Sequence, residues 1–328
     1  MYELIQNFPA QIERALELAG KIELHHSYSN ISNVVICGLG GSGIGGDLAY
    51  DLTINELTVP LVVNKGYDLP HFINNKTLLI LCSYSGNTEE TISCANQSTA
   101  KGLTLICISA NGKLKELALN QKFDFIQLPT GFPPRTTLGY GAAILLTLLK
   151  KFSLIQSDID ASLKTTAQFL ASKQESIKDI AKDLAKTFKD KTVIIHTEEK
   201  IESVALRIKQ QINENSKSNC WYSTVPELNH NELVGWKTKN ETLAALFLRT
   251  KFENKRNQLR FEFVKPVVEE NVNVLREIHA LGETFMHQYF YLVHLGDWLS
   301  YYLGLEHGQD PVEVNVIDRL KAFLNSVD

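Results

Sequence analysis

The glycine-dense stretch Gly38-Leu39-Gly40-Gly41-Ser42-Gly43-Ile44-Gly45-Gly46-Asp47 follows directly on the apolar run Asn33-Val34-Val35-Ile36-Cys37. That run has the length and β-branched character of a buried strand, and a helix is expected from about Gly43 onward. Strand, glycine loop and helix in this order is the opening of an α/β unit. Glycines let a backbone approach a ligand closely and adopt positive φ, and the first amides of a helix offer unpaired donors to an anion. A tight turn with no ligand is the competing explanation.

Gly38, Gly40 and Gly43 satisfy G-x-G-x-x-G, which suggests a dinucleotide. Such a site needs an acidic residue at the end of the second strand, for the ribose. The strand here, Val59-Pro60-Leu61-Val62-Val63, ends in Asn64-Lys65. No Gly-Lys-Ser/Thr follows the loop, which disfavours a nucleoside triphosphate. A second anion cradle decides between these readings. Leu78-Leu79-Ile80-Leu81-Cys82 reads as the next buried strand and runs into Ser83-Tyr84-Ser85-Gly86-Asn87-Thr88. Ser83, Ser85 and Thr88 can donate to phosphate oxygens while the following helix supplies amides. If Ser85 were only a helix cap, Ser83 and the spacing would be unexplained.

Gly40-Gly41-Ser42-Gly43 followed by Ser83-Tyr84-Ser85-Gly86-Asn87-Thr88 resembles the sugar isomerase (SIS) phosphosugar-binding domain, and the serine loop is the specific part. The resemblance implies that Gly41, Ser42, Ser83, Ser85 and Thr88 bind the phosphate of a sugar phosphate.

At 328 residues, about two domains are expected. Strands near 34–37, 59–63, 78–82, 104–108 and 124–128 alternate with helical stretches, which implies a parallel sheet covered on both faces. Residues 151–190 read as a helical connection. A second series then begins with Thr192-Val193-Ile194-Ile195, a helix over 199–213, strands at 243–248 and 272–275, and an aromatic-rich helix over 283–304. The expected fold class is therefore α/β with two SIS-type domains, each a three-layer αβα unit. Residues 1–153 carry the phosphate loops, and residues 154–328 form a degenerate copy without a phosphate site of its own. The 33 basic and 37 acidic residues give a net charge of −4, which argues against nucleic-acid or membrane-surface partners. No run is long and apolar enough to span a membrane and the N-terminus shows no secretory signal. The five cysteines lack C-x-x-C spacing and read as buried reduced thiols. A cytoplasmic protein is expected.

Further motifs extend the resemblance over nearly the whole length. Pro133-Pro134-Arg135 precedes an apolar helix; the prolines stiffen the approach to Arg135, although an exposed loop arginine fits the residues equally well. Glu214 sits near a helix end, where a solvated glutamate paired with Lys217 is the ordinary reading. His230, in Glu227-Leu228-Asn229-His230-Asn231, reads by itself as a loop histidine. Lys321, in the helix after Asp310-Pro311-Val312-Glu313, reads as a surface charge. Together these motifs are similar to phosphoglucose/phosphomannose isomerases. That likeness implies Glu214 as the base moving a proton between C1 and C2, His230 and Lys321 opening the sugar ring, and Arg135 facing the enediolate. It also implies a metal-independent isomerase of glucose 6-phosphate and mannose 6-phosphate, with no cofactor. It implies a homodimer as well, in which His230 completes the neighbouring site. A nicotinamide-dependent dehydrogenase is disfavoured by the missing ribose acid. A phosphosugar sensor would have no use for Glu214, His230 and Lys321 together, and an isomerase of another sugar phosphate is disfavoured only by the Glu214 and His230 signature.

Overall fold

The structure, a computed structural model, describes residues 1–327. The chain divides into two compact units, residues 6–171, and residues 1–5 together with 172 onward. A short helix α1 (Tyr2–Gln6) opens the chain, followed by α2 (Phe8–Ala19), β1 (Asn33–Cys37), α3 (Gly40–Thr53), β2 (Leu61–Asn64) and β3 (Thr77–Cys82). Then come α4 (Glu89–Ala100), β4 (Ile106–Ser109), α5 (Gly112–Gln121), β5 (Asp124–Gln127) and α6 (Leu138–Lys151). The five strands pair in parallel in the order β2-β1-β3-β4-β5. A buried parallel sheet must be apolar on both faces. On one face Val35, Leu79, Leu81 and Cys107 pack with Cys94, Leu114 and Ala118 from the following helices. All five cysteines are buried and reduced.

Helix α7 (Ile159–Phe188) contains the division between the units, downstream of the boundary at 153/154 drawn from the sequence. Leu163, Ala167 and Leu170 are buried on one side of the division, and Ile177, Ala181, Leu184 and Phe188 on the other. An unbroken amphipathic helix leaves no linker composition to mark the boundary.

The second unit continues with β6 (Thr192–Glu198), α8 (Glu202–Ser216), β7 (Cys220–Val225), α9 (Glu232–Gly235) and β8 (Asn240–Arg249). It ends with α10 (Lys255–Glu269), β9 (Val272–His279), α11 (Phe285–Glu306) and α12 (Asn315–Leu324). Its parallel sheet runs β7-β6-β8-β9, the same crossing order as β2-β1-β3-β4. Strand β7 and helix α10 were not expected from the sequence. As an edge strand, β7 leaves Trp221 54% exposed, so its hydrophobic signal is diluted. Helix α10 is charge-rich and contains Pro266, and its apolar stripe of Phe261, Val264 and Val268 is narrow. Among the described residues no helix is long and apolar enough to cross a membrane.

Helix α11 is buried along most of its length and locks α8 against it. Arg207 of α8 makes a two-pronged pair with Asp297, Nε to Oδ1 at 3.0 Å and one guanidinium NH2 to Oδ2 at 3.1 Å. Asn215 Nδ2 donates to Ser300 Oγ at 2.9 Å and Ser216 Oγ donates to the Ser300 carbonyl at 2.7 Å. Arg207→Ala would leave the Asp297 carboxylate buried and unpaired, so a stability loss of about 3–5 kcal/mol is expected. Chemical denaturation monitored by circular dichroism measures it; a change below about 1 kcal/mol would mean that packing alone holds the two helices together.

Candidate active site

In the first unit the order β2-β1-β3 means that the chain leaves β1 in one direction and returns on its other side, which opens a crevice at the carboxyl ends of β1 and β3. The glycine loop occupies one wall and the serine loop the other. Helix α3 begins at Gly40, three residues earlier than expected, and its N-cap is Leu39, which has no capping oxygen. Helix α4 begins at Glu89 after Thr88, whose hydroxyl makes no capping bond. Two helix starts without side-chain caps therefore meet one crevice, and their first amides and dipoles favour an anion there.

Each hydroxyl has a definite place. Ser83 is buried, and its hydroxyl accepts from the Gly86 amide at 3.1 Å and shares a 2.8 Å bond with Thr88 Oγ1. Ser42 Oγ accepts from the Tyr84 amide at 3.2 Å, and exposed Ser85 Oγ accepts from the Asn87 amide at 3.2 Å. A hydroxyl that accepts still has its proton to donate, so Ser42 and Ser85 stay competent toward a phosphate oxygen. Tyr84 was not singled out from the sequence, yet its phenol donates to the Pro129 carbonyl and accepts from the Phe132 amide, tying the serine loop to the segment before Arg135.

Arg135 lies on a 3-10 turn, Pro134–Thr136, and is only 6% exposed, so the exposed-loop alternative does not hold. Thr136 and Thr137 close the turn on the carbonyls of Pro133 and Pro134. A Cβ at Gly41 would lie 2.8 Å from the Pro134 carbonyl oxygen and 3.4 Å from the Arg135 Cα, so the glycine loop and the arginine turn touch backbone to backbone. Gly86 has φ +71°, and a Cβ there would fall 1.6 Å from the Asn111 carbonyl oxygen. Gly86→Ala is expected to displace the serine loop, raising KM for a sugar phosphate by about tenfold or more, since each lost phosphate hydrogen bond costs about 1.5–3 kcal/mol. Steady-state kinetics with an unchanged KM would show that the loop does not hold the substrate.

The second unit carries the remaining candidates. Glu214 is half-buried in the last turn of α8. Lys217 is not simply its ion-pair partner: the Lys217 ammonium donates to the carbonyls of Glu214, Asp310 and Glu313 at 2.6, 3.0 and 2.7 Å. It thereby pins the segment leading into α12, which carries Lys321, onto the end of the helix that carries Glu214. Lys321 itself is exposed, 3.6 Å from Asp318. His230 ends a 3-10 turn, Glu227–His230, and its side chain is exposed. Arg260 holds the neighbouring Asn229 at 3.2 Å, and Trp236 holds Glu232 at 3.2 Å. His196 and His294 are buried and burial pushes each down to about 3, so both are neutral.

Strand β7 separates Glu214 from His230. Helix α8 runs back from the end of β6, which puts Glu214 at the amino edge of the sheet, whereas His230 follows β7 at the carboxyl edge. A strand of this length spans about 16 Å or more, so one chain does not bring Glu214 and His230 together. Among the described residues no group of three or more His, Cys, Asp or Glu side chains is placed to hold a metal ion.

Residues 177–324 match the family model described as the bacterial phospho-glucose isomerase C-terminal SIS domain. The chain is 37% identical to a bifunctional phosphoglucose/phosphomannose isomerase of Caldicellulosiruptor bescii, covering 100% of this chain and 99% of that one. A protein of the same name from Aquifex aeolicus is 33% identical, covering 99% and 98%. Among solved structures, the C-terminal domain of glucosamine-fructose-6-phosphate aminotransferase from Francisella tularensis superimposes with a TM-score of 0.75 at 17% identity, covering 95% and 96%.

Proposed function

This chain belongs to the bifunctional phosphoglucose/phosphomannose isomerase family, and we propose that it interconverts glucose 6-phosphate and mannose 6-phosphate with fructose 6-phosphate through an enediol, without a metal ion. The observation that carries the substrate assignment is the meeting of two uncapped helix starts with the Ser42, Ser85 and Thr88 hydroxyls, a site whose chemistry suits a phosphate dianion. Ser83 positions the Thr88 hydroxyl, and the Gly41 amide in the first turn of α3 is offered to the phosphate. Phosphate binding then positions a carbon remote from it.

His230 and Lys321 open the sugar ring by moving a proton to the ring oxygen and taking one from the C1 or C2 hydroxyl. Glu214 removes the proton from C2 of the open aldose, and the electron pair forms the C1–C2 double bond while the carbonyl oxygen takes negative charge. Transfer of the O2 proton to O1 and return of the carbon-bound proton to C1 then yield the ketose, with the carbonyl at C2. Arg135, a fixed buried cation, stabilises the enediolate charge. Return of the proton to either face of C2 yields the two aldose epimers, which accounts for both substrates in one site. The separation of Glu214 and His230 along β7 supports a homodimer in which His230 serves the neighbouring copy.

Incubation with fructose 6-phosphate in D2O with EDTA, followed by NMR, tests the proposal. Glucose 6-phosphate and mannose 6-phosphate, both deuterated at C2, are expected. Activity that disappears with EDTA and returns with a divalent cation would overturn the metal-free mechanism, and the absence of both aldoses would overturn the function.

A further inference from the structure

Cys37 is the last residue of β1 and stands immediately before Gly38 of the glycine loop, and Cys94 lies in the second turn of α4, the helix that the serine loop opens. Their side chains meet. Asn64 Nδ2, at the end of β2, lies 3.8 Å from Cys37 Sγ and 3.4 Å from Cys94 Sγ, and the Cys37 thiol is hydrogen-bonded to Cys94. The main-chain carbonyl of the same Asn64 accepts from the Gly38 amide at 3.1 Å, which joins the pair to the start of the glycine loop. The isomerase mechanism uses neither sulfur. Burial pushes Cys82 and Cys220 up to about 12 and raises Cys107 as well, and the bond that Cys37 donates raises Cys37. Receiving that bond draws Cys94 below the ordinary thiol value, so Cys94 is the sulfur that most readily becomes a thiolate. Its cover is thin: Cys94 Sγ lies 3.6 and 3.7 Å from the carbonyls of Gly66 and Tyr67, and residues 65–68 are exposed.

We propose that Cys37 and Cys94 are a thiol pair that hydrogen peroxide converts to a disulfide, and that this bond weakens the hold of the glycine and serine loops on a phosphate. The Cys94 thiolate attacks one peroxide oxygen, the O–O bond breaks, and hydroxide leaves, giving a Cys94 sulfenic acid. The Cys37 thiol then attacks that sulfur and the sulfenic oxygen departs with the Cys37 proton as water. The first hydroxide takes up the proton that Cys94 gave up, so two thiols are oxidised, one peroxide is reduced and two waters form. A bond in place of a contact draws the end of β1 toward α4. The glycine loop has no slack to absorb this, because a Cβ at Gly38 would lie 3.0 Å from the Cys82 carbonyl oxygen and 3.2 Å from the Gly43 amide nitrogen. The effect on binding rests on the reading of these loops as the phosphate site of an isomerase.

Peroxide treatment of the whole chain, alkylation of the remaining thiols and peptide mass spectrometry test the site. A linked Cys37–Cys94 peptide pair, two hydrogens lighter than its separate halves and released by dithiothreitol, is expected. The linked protein should show a KM for fructose 6-phosphate, and a Kd for inorganic phosphate, raised about tenfold, the loss of one charge-assisted hydrogen bond. Cys37→Ala and Cys94→Ala are expected to keep the untreated KM and to lose its response to peroxide. Gln97 fastens the cover to α4, donating to the Tyr67 carbonyl at 2.8 Å and accepting from the Leu69 amide at 3.1 Å. Gln97→Ala should therefore link at least about threefold faster by easier opening of that segment. Thiols that stay unlinked, a different cysteine pair, or a Gln97→Ala rate equal to wild type would overturn the site, and a linked protein with unchanged KM and phosphate Kd would overturn the switch. If linking weakens phosphate binding while neither form isomerises the sugar, the isomerase reading fails and the switch stands.

Discussion

Glu214→Gln is expected to lower kcat for fructose 6-phosphate isomerisation by about 10²–10⁴ with KM little changed, which is the contribution typical of a positioned general base. That range is about 3–5 kcal/mol of transition-state stabilisation. The amide keeps the shape of the carboxylate but cannot take a proton from C2. Little rearrangement is expected, because α8 is held by the Arg207–Asp297 pair and by Asn215 and Ser216 on Ser300. The Lys217 contact to residue 214 goes through its main-chain carbonyl, which the substitution leaves in place. An unchanged KM separates a lost base from a lost phosphate contact, since ground-state binding would be retained. Exchange of deuterium into C2 of the aldose should fall in parallel. Isomerisation retained within tenfold of wild type, or deuterium exchange that persists without turnover, would remove Glu214 from the proton-transfer step.

Mixing Glu214→Gln with His230→Ala should restore activity that neither variant has alone. In a homodimer whose sites take Glu214 from one chain and His230 from the other, random reassortment makes half of the dimers mixed, and each mixed dimer holds one intact site. About a quarter of wild-type activity is therefore expected after unfolding and refolding an equimolar mixture. The effect is large because the background is low: His230→Ala alone should lose about 10²–10⁴ in rate through the missing ring-opening acid. If both residues served the same chain's site, the mixture would be as inactive as its components, and the placement of His230 in the neighbouring site would have to be abandoned.

Much of the fold was legible in the chain itself. The strands of the first sheet announced themselves because a parallel sheet covered on both faces demands unbroken apolar runs, as in Leu78–Cys82. The helix boundaries were off by a few residues: α3 starts at Gly40, where glycine composition masks helical spacing. Strand β7 and helix α10 escaped notice because an edge strand and a charged surface helix bury only part of their side chains, and the unburied remainder reads as loop. The two loops proposed to hold the phosphate were visible in the sequence, since the donors of each are close together in the chain. The role of Ser83 inside the loop and the tie made by Tyr84 were not visible, because both depend on which neighbour a hydroxyl meets.

By itself the sequence determined the α/β alternation, the glycine and serine loops proposed here to hold an anion, and the residue types proposed for proton transfer, because local periodicity and loop chemistry act over a few residues. Only the tertiary structure decided that Arg135 is buried against the glycine loop, that Lys217 ties the approach of α12 to the helix carrying Glu214, and that β7 holds Glu214 and His230 at opposite edges of one sheet. The physical reason is that the direction of a helix between two parallel strands, and hence the edge to which its last turn is delivered, follows from strand order and crossover. Those are properties of the packed sheet and are written in no single stretch of residues.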